Sequence, residues 1–102
     1  MPEFLPAMKS SELADGTMAG VEVGGVRVLL SRFGGEVYAV SAVCTHEETD
    51  LGNGFLIEDR VVCPLHLSQF DLRTGAVQNP PATLPLKHFN VKIDGDAILV
   101  EI

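Results

Sequence analysis

Tryptophan is absent from the chain and tyrosine occurs once, yet 46% of its 102 residues are hydrophobic and only 21% are charged. That balance describes one ordered domain, residues 1–102, too short to divide into two of ordinary size and too apolar for a disordered tail. No run of about 18 apolar residues occurs, which excludes a helical membrane span. The N-terminus has no basic segment leading into a long apolar core, so no secretory signal is read and the expected location is the cytoplasm. Basic residues are scarce: seven against fourteen acidic ones give a formal net charge of -7. A chain so acidic, without a basic stripe, is expected to repel nucleic acid phosphates. Cysteine is scarcer still, at two residues, which argues against a disulfide scaffold while leaving a single buried disulfide open.

Long helices are missing too. No amphipathic pattern of ten or more residues occurs, and neither an internal repeat nor a low-complexity segment is present. The glycine-rich stretch from Gly20 to Gly25 opens no helix, so it does not read as a dinucleotide-binding turn. What the chain has instead is a series of short strands. Residues 4–9 read as a strand, followed by a turn or single helical turn over Ser10, Ser11 and Glu12. Residues 17–23, 26–32 and 36–41 read as three more, separated by Gly24–Gly25 and Gly34–Gly35, the signature of an antiparallel meander. Residues 45–54 are polar and read as a loop. Residues 55–57 and 60–62 form a small hairpin about Glu58–Asp59. Residues 68–72 and 76–78 follow, then a stiff loop at Asn79–Pro80–Pro81–Ala82. Residues 87–93 alternate as one strand, Asp94–Gly95 turns, and residues 97–102 close the sheet. About ten short strands predict an all-β fold, a small two-sheet sandwich or barrel with an inserted hairpin subdomain.

The chemistry is concentrated between Cys44 and His66. Both cysteines and two of the three histidines fall there, as Cys44-Thr45-His46 and Cys63-Pro64-Leu65-His66, with sixteen residues between the two groups. Each group offers one thiolate and one imidazole, which reads as a metal site closed by two loops. A single zinc ion could use all four donors, although zinc sites usually pair Cys with Cys and His with His at short spacing. A [2Fe–2S] cluster with cysteines on one iron and histidines on the other needs four ligands presented from two sides. Two facing loops present them if Cys44 and Cys63 converge on one iron and His46 and His66 on the other. His88 lies in an alternating strand and reads as a surface or hydrogen-bonded residue. Asp71 and Arg73 read as braces of the turn to Gly75. Because both cysteines are better used as ligands, no nucleophile–His–acid constellation is convincing. Glu47, Glu48, Asp50, Glu58 and Asp59, with no Lys or Arg among them, form either a solvated acidic surface or a face that docks on a basic partner.

The two-part ligand motif, with Phe70, Gly75 and the Pro80–Pro81 loop after it, resembles the Rieske iron–sulfur domain. Over about residues 2–102 the chain is similar to the soluble Rieske ferredoxins of bacterial aromatic-ring-hydroxylating dioxygenase systems. The resemblance implies a Rieske-type antiparallel β-sandwich, with a cluster-binding β-subdomain at about residues 43–83 inserted in the basal sandwich. It implies one [2Fe–2S] cluster per chain, held by Cys44, His46, Cys63 and His66, and a one-electron carrier that catalyses no reaction itself. The expected partners are an NAD(P)H-dependent flavoprotein ferredoxin reductase as donor and a terminal oxygenase as acceptor, with the carrier a monomer.

Departures from the family refine this. Respiratory and photosynthetic Rieske proteins join their two loops by a disulfide; the matching positions here are Thr49 and Leu65. They also place a serine and a tyrosine beside the cluster, where this chain keeps Ser68 but has Phe70. The missing hydroxyl implies a potential toward the low end of the roughly -150 to +300 mV range of such centres. Leu67 stands where the family often has glycine and would put an apolar side chain beside the exposed histidine edges. The Pro80–Pro81 loop is expected to shield the cluster. Competing readings are a Rieske subunit or ferredoxin of another redox system, such as a nitrite reductase small subunit or a monooxygenase partner, and a structural zinc-binding interaction module.

Overall fold

A computed structural model describes residues 3–43, 50–64, 68–79 and 85–102. Its described elements are eleven strands and two single 3-10 turns. In chain order the strands are β1 (Phe4–Lys9), β2 (Met18–Val23), β3 (Val26–Phe33), β4 (Glu36–Ser41), β5 (Phe55–Ile57), β6 (Arg60–Val62), β7 (Gln69–Asp71), β8 (Val77–Asn79), β9 (His88–Phe89), β10 (Val91–Asp94) and β11 (Ala97–Glu101). The 3-10 turns are Ser10–Glu12 and Leu51–Asn53. Among the described residues no helix is long and apolar enough to cross a membrane.

All pairings are antiparallel and make three sheets, ordered β1-β11-β10, β2-β3-β4-β9 and β5-β6-β7-β8. The sheet built on β3 is the middle layer. Val28, Leu29, Leu30 and Ser31 are all fully buried, so successive residues of β3 face protein on both sides. That is why this strand reads as a continuous apolar run instead of an alternation. Val28 and Leu30 pack with Leu13, Val23, Ala39, Ile98 and Val100, joining the middle sheet to β11. Leu29 packs with Val40, Ala42, Leu51, Val61, Cys63, Phe70, Leu72 and Leu86, joining it to the sheet of residues 55–79. The inserted strands thus have their own apolar core against the second face of the middle sheet.

The Gly-Gly pairs at 24–25 and 34–35 have the left-handed backbone that tight hairpins need. The expected meander holds for β2-β3-β4 and for β5-β6-β7-β8 but not for the whole chain, since β1 pairs with β11. A second difference lies at residues 87–93, which form two strands in two sheets. Phe89 and His88 pair with Ala39 and Val40 of β4, while Val91 to Asp94 pair with β11. The crossing is made at Asn90. Its carbonyl accepts from the Glu101 N–H at 2.9 Å, and its side-chain amide donates to Glu101 Oε1 at 3.0 Å. Alternation runs straight through the crossing because each half keeps one apolar face.

Candidate metal centre

The first ligand group lies between the end of β4 and the second 3-10 turn. Val43 and Asp50 form an isolated antiparallel bridge, and the Leu51 N–H donates to the Ala42 carbonyl at 2.7 Å. The described residues on either side of 44–49 are therefore bonded to each other. Asp50 caps the turn that follows, with Oδ1 accepting from the Gly52 N–H at 2.8 Å.

The second group starts at the end of β6. Cys63 is 1% exposed, and its N–H donates to the Ser68 carbonyl at 2.8 Å, closing residues 64–67 at their base. Gly54, just before β5, packs against this strand end. A Cβ at Gly54, where the chain leaves the first loop, would stand 2.0 Å from the Val62 carbonyl oxygen and 3.2 Å from Pro64 Cδ. Cys63 also shares its apolar core with Ala42 and Leu51, the residues flanking the first loop. Of the four expected ligands, Cys63 is placed at this junction; Cys44, His46 and His66 lie outside the described residues, as do Thr49, Leu65, Leu67, Pro80 and Pro81. Among the described residues no group of three or more His, Cys, Asp or Glu side chains converges.

Of the donors for a [2Fe–2S] group Cys63 is the one described, and it fits: its side chain is 1% exposed in an apolar core, where a thiolate needs a neighbouring positive charge such as a metal ion supplies. Ser68 and Phe70, directly after the second group, are both 0% exposed. The Phe70 ring fills the same core as Cys63 and carries no hydroxyl.

Other residues singled out from the sequence fall into place. Asp71 Oδ1 accepts from the N–H groups of Arg73 at 2.7 Å and Thr74 at 3.2 Å, bracing the turn as expected. The Arg73 side chain turns toward Tyr38 of β4, whose hydroxyl moves the guanidinium pKa above its ordinary value, with Asp59 and Asp71 adding to it. His88 is exposed on β9. Sequence reasoning missed Gly54 and gave Asp50 no role beyond surface charge. Asp two residues before Gly, ahead of a turn, is the cap pattern that marks Asp50. Its carboxyl is held below the ordinary range first by the Gly52 N–H and further by Arg27, against the opposing effect of partial burial.

A model of the Rieske [2Fe-2S] domain matches residues 3–90. The ferredoxin component of biphenyl 2,3-dioxygenase from Rhodococcus jostii (strain RHA1) is 40% identical over 93 residues, covering 91% of this chain and 87% of that protein. The solved ferredoxin of carbazole 1,9a-dioxygenase from Nocardioides aromaticivorans IC177 is similar at 35% identity with a TM-score of 0.90, covering 95% of each chain. A second solved relative is part of a complex of reduced oxygenase and oxidized ferredoxin in carbazole 1,9a-dioxygenase. It is 31% identical with a TM-score of 0.90, covering 96% of this chain and 92% of that one.

Proposed function

The chain belongs to the Rieske [2Fe–2S] domain family, and from that premise we propose that it is the one-electron carrier of an aromatic-ring-hydroxylating dioxygenase system. Cys44 and Cys63 hold one iron of the cluster, and His46 and His66 hold the other. Residues 43–83 act as a cluster-binding subdomain inserted between β4 and β9. The observation that carries this reading is the apolar core that Cys63 shares with Ala42 and Leu51, which brings the start of the second Cys/His group and the residues flanking the first onto one cluster.

When bound, the cluster supplies a site that accepts and releases a single electron without making or breaking bonds in a substrate. The protein's own part is to hold, insulate and present. The aliphatic core around Cys63 excludes water from the cysteine side. Phe70 offers no hydroxyl there, which leaves added negative charge less stabilised and sets a low potential for this type of centre. The imidazoles of His46 and His66 are the groups through which electrons leave. The donor is a flavoprotein reductase and the acceptor a terminal oxygenase. The solved complex of a 31% identical ferredoxin with its oxygenase supports the second pairing. A cytoplasmic monomer is the form that suits a shuttle between two proteins.

The test is reconstitution. Purified protein is added to an NADH-dependent ferredoxin reductase and the oxygenase of a biphenyl- or naphthalene-type system, and turnover of the aromatic compound is followed. Product formation that depends on this chain supports the proposal. A colourless protein carrying one zinc ion and passing no electrons contradicts it.

A further inference from the structure

Arg27 ties both ends of the first ligand segment to the middle sheet, one by an ion pair and the other by its backbone. Arg27 Nη2 of β3 donates to Asp50 Oδ2 at 2.5 Å. Asp50 is also the residue bridged to Val43, so the pair grips the return end of the segment just where it meets the outgoing end. The Arg27 backbone acts on the outgoing end. Its carbonyl accepts from the Ala42 N–H at 3.1 Å, and the Ala42 carbonyl accepts from the Leu51 N–H at 2.7 Å. A continuous chain of contacts thus runs from Arg27 through Ala42 to Leu51 and back through Asp50 to the Arg27 guanidinium.

The surroundings are shaped to admit this pair. A Cβ at Gly20 of β2 would stand 3.0 Å from Arg27 Nη2 and 3.8 Å from Asp50 Oδ1. A Cβ at Gly52 would stand 3.0 Å from the same Asp50 oxygen. The guanidinium therefore crosses β2 where that strand carries no side chain. The two side chains are 43% and 37% exposed, and an ion pair so open to water adds little to global stability. What it fixes is the position of the Val43–Asp50 bridge, and Cys44 follows Val43 directly in the chain.

We propose that Arg27 and Asp50 are positioning residues for the cluster, acting as one unit that holds residues 43 and 50, the two ends of the segment carrying Cys44 and His46, against the middle sheet. This rests on the ligand assignment made above. The removal of either partner then loosens the cluster without removing a ligand.

The experiment uses the iron-loaded full chain and four variants: Arg27→Ala, Asp50→Asn, the double variant, and Gly20→Ala, which removes neither charge but crowds the pair. Loss of visible absorbance is followed anaerobically with an iron chelator, and the EPR spectrum of the reduced protein is recorded. Each single variant is expected to lose its cluster about 10-fold faster, the low end of what loss of an outer support costs a metal site. The double variant should lose it no faster than the worse single variant, because the two residues act through one contact. The EPR lines should broaden in all four. Cluster loss at the wild-type rate with unchanged line shape, or rates that multiply in the double variant, would overturn the inference alone. Wild-type protein that takes up no iron would overturn the ligand assignment, and the inference with it.

Discussion

Gly54 lies so close to Val62 that a Cβ added to it would come within 2.0 Å of the Val62 carbonyl oxygen. No side chain fits there without moving backbone, and the backbone in question is the strand end that delivers Cys63. Gly54→Ala is therefore expected to destabilise the protein by about 2 kcal/mol, within the range for overpacking a filled site. It should also reduce the iron retained on purification. Denaturant unfolding and an iron assay check this together; normal iron content in a destabilised variant would show that the close approach of Gly54 to Val62 does not govern cluster binding.

Phe70 is fully buried beside Val61 and Cys63 in the inserted core. Phe70→Tyr adds a hydroxyl at the position where high-potential members of the family carry one. A hydrogen bond net worth about 1 kcal/mol to the reduced state corresponds to about 40 mV for one electron. A rise of that order in the midpoint potential is expected by protein-film voltammetry. An unchanged potential with a loss of stability would mean that the hydroxyl finds no acceptor near the cluster.

Glu58, at the β5-β6 turn, has φ of 52°, the one positive value outside glycine among the described residues. Side chains other than Gly, Asn and Asp are disfavoured there. Glu58→Gly should be neutral to stabilising by about 1 kcal/mol in thermal unfolding. Its effect on electron transfer tests Glu58 in docking: an unchanged rate to the oxygenase excludes its side chain from the docking surface.

Acid should weaken the fold through Asp96 and Asp50. Asp96 accepts from both the Ser11 hydroxyl and the Ser11 N–H at 2.9 Å, pinning the first 3-10 turn to the β10-β11 turn. Those two bonds, the hydroxyl first, hold its carboxyl below the ordinary range. Asp50 is lowered first by the Gly52 N–H and then by Arg27. A carboxylate with a depressed folded-state pKa stabilises the fold fully above its unfolded value, about pH 4, and loses that contribution as pH falls through the folded value. Unfolding midpoints measured between pH 6 and pH 3 should fall most steeply at the acid end. The double variant Asp50→Asn/Asp96→Asn should show a shallower fall, and an identical slope would contradict the assignment.

Much of this molecule is legible from its sequence where local signals bound an element. Residues 4–9, 36–41, 55–57 and 60–62 are strands as expected, because turn residues stand at or near their ends. The two Cys/His groups stand out in the sequence by residue type and spacing, and the Rieske domain match over residues 3–90 spans both. The break at Asn90 is not legible, since alternation survives it and only the partner strands change. The Arg27–Asp50 pair is invisible for another reason. Its members are 23 positions apart, and each resembles an ordinary surface charge until the sheet brings them together. Gly54 likewise reads as loop punctuation until the Val62 carbonyl appears against it.

The central claim is that two cysteines and two histidines hold a [2Fe–2S] cluster at the junction of the two loops. Pulsed EPR of the reduced protein tests it most directly, combined with iron and acid-labile sulfide analysis. The account predicts two irons and two sulfides per chain, with hyperfine coupling to two histidine nitrogens, one of which disappears in His66→Cys. Zinc without sulfide, or a cluster spectrum with no nitrogen coupling, would contradict it.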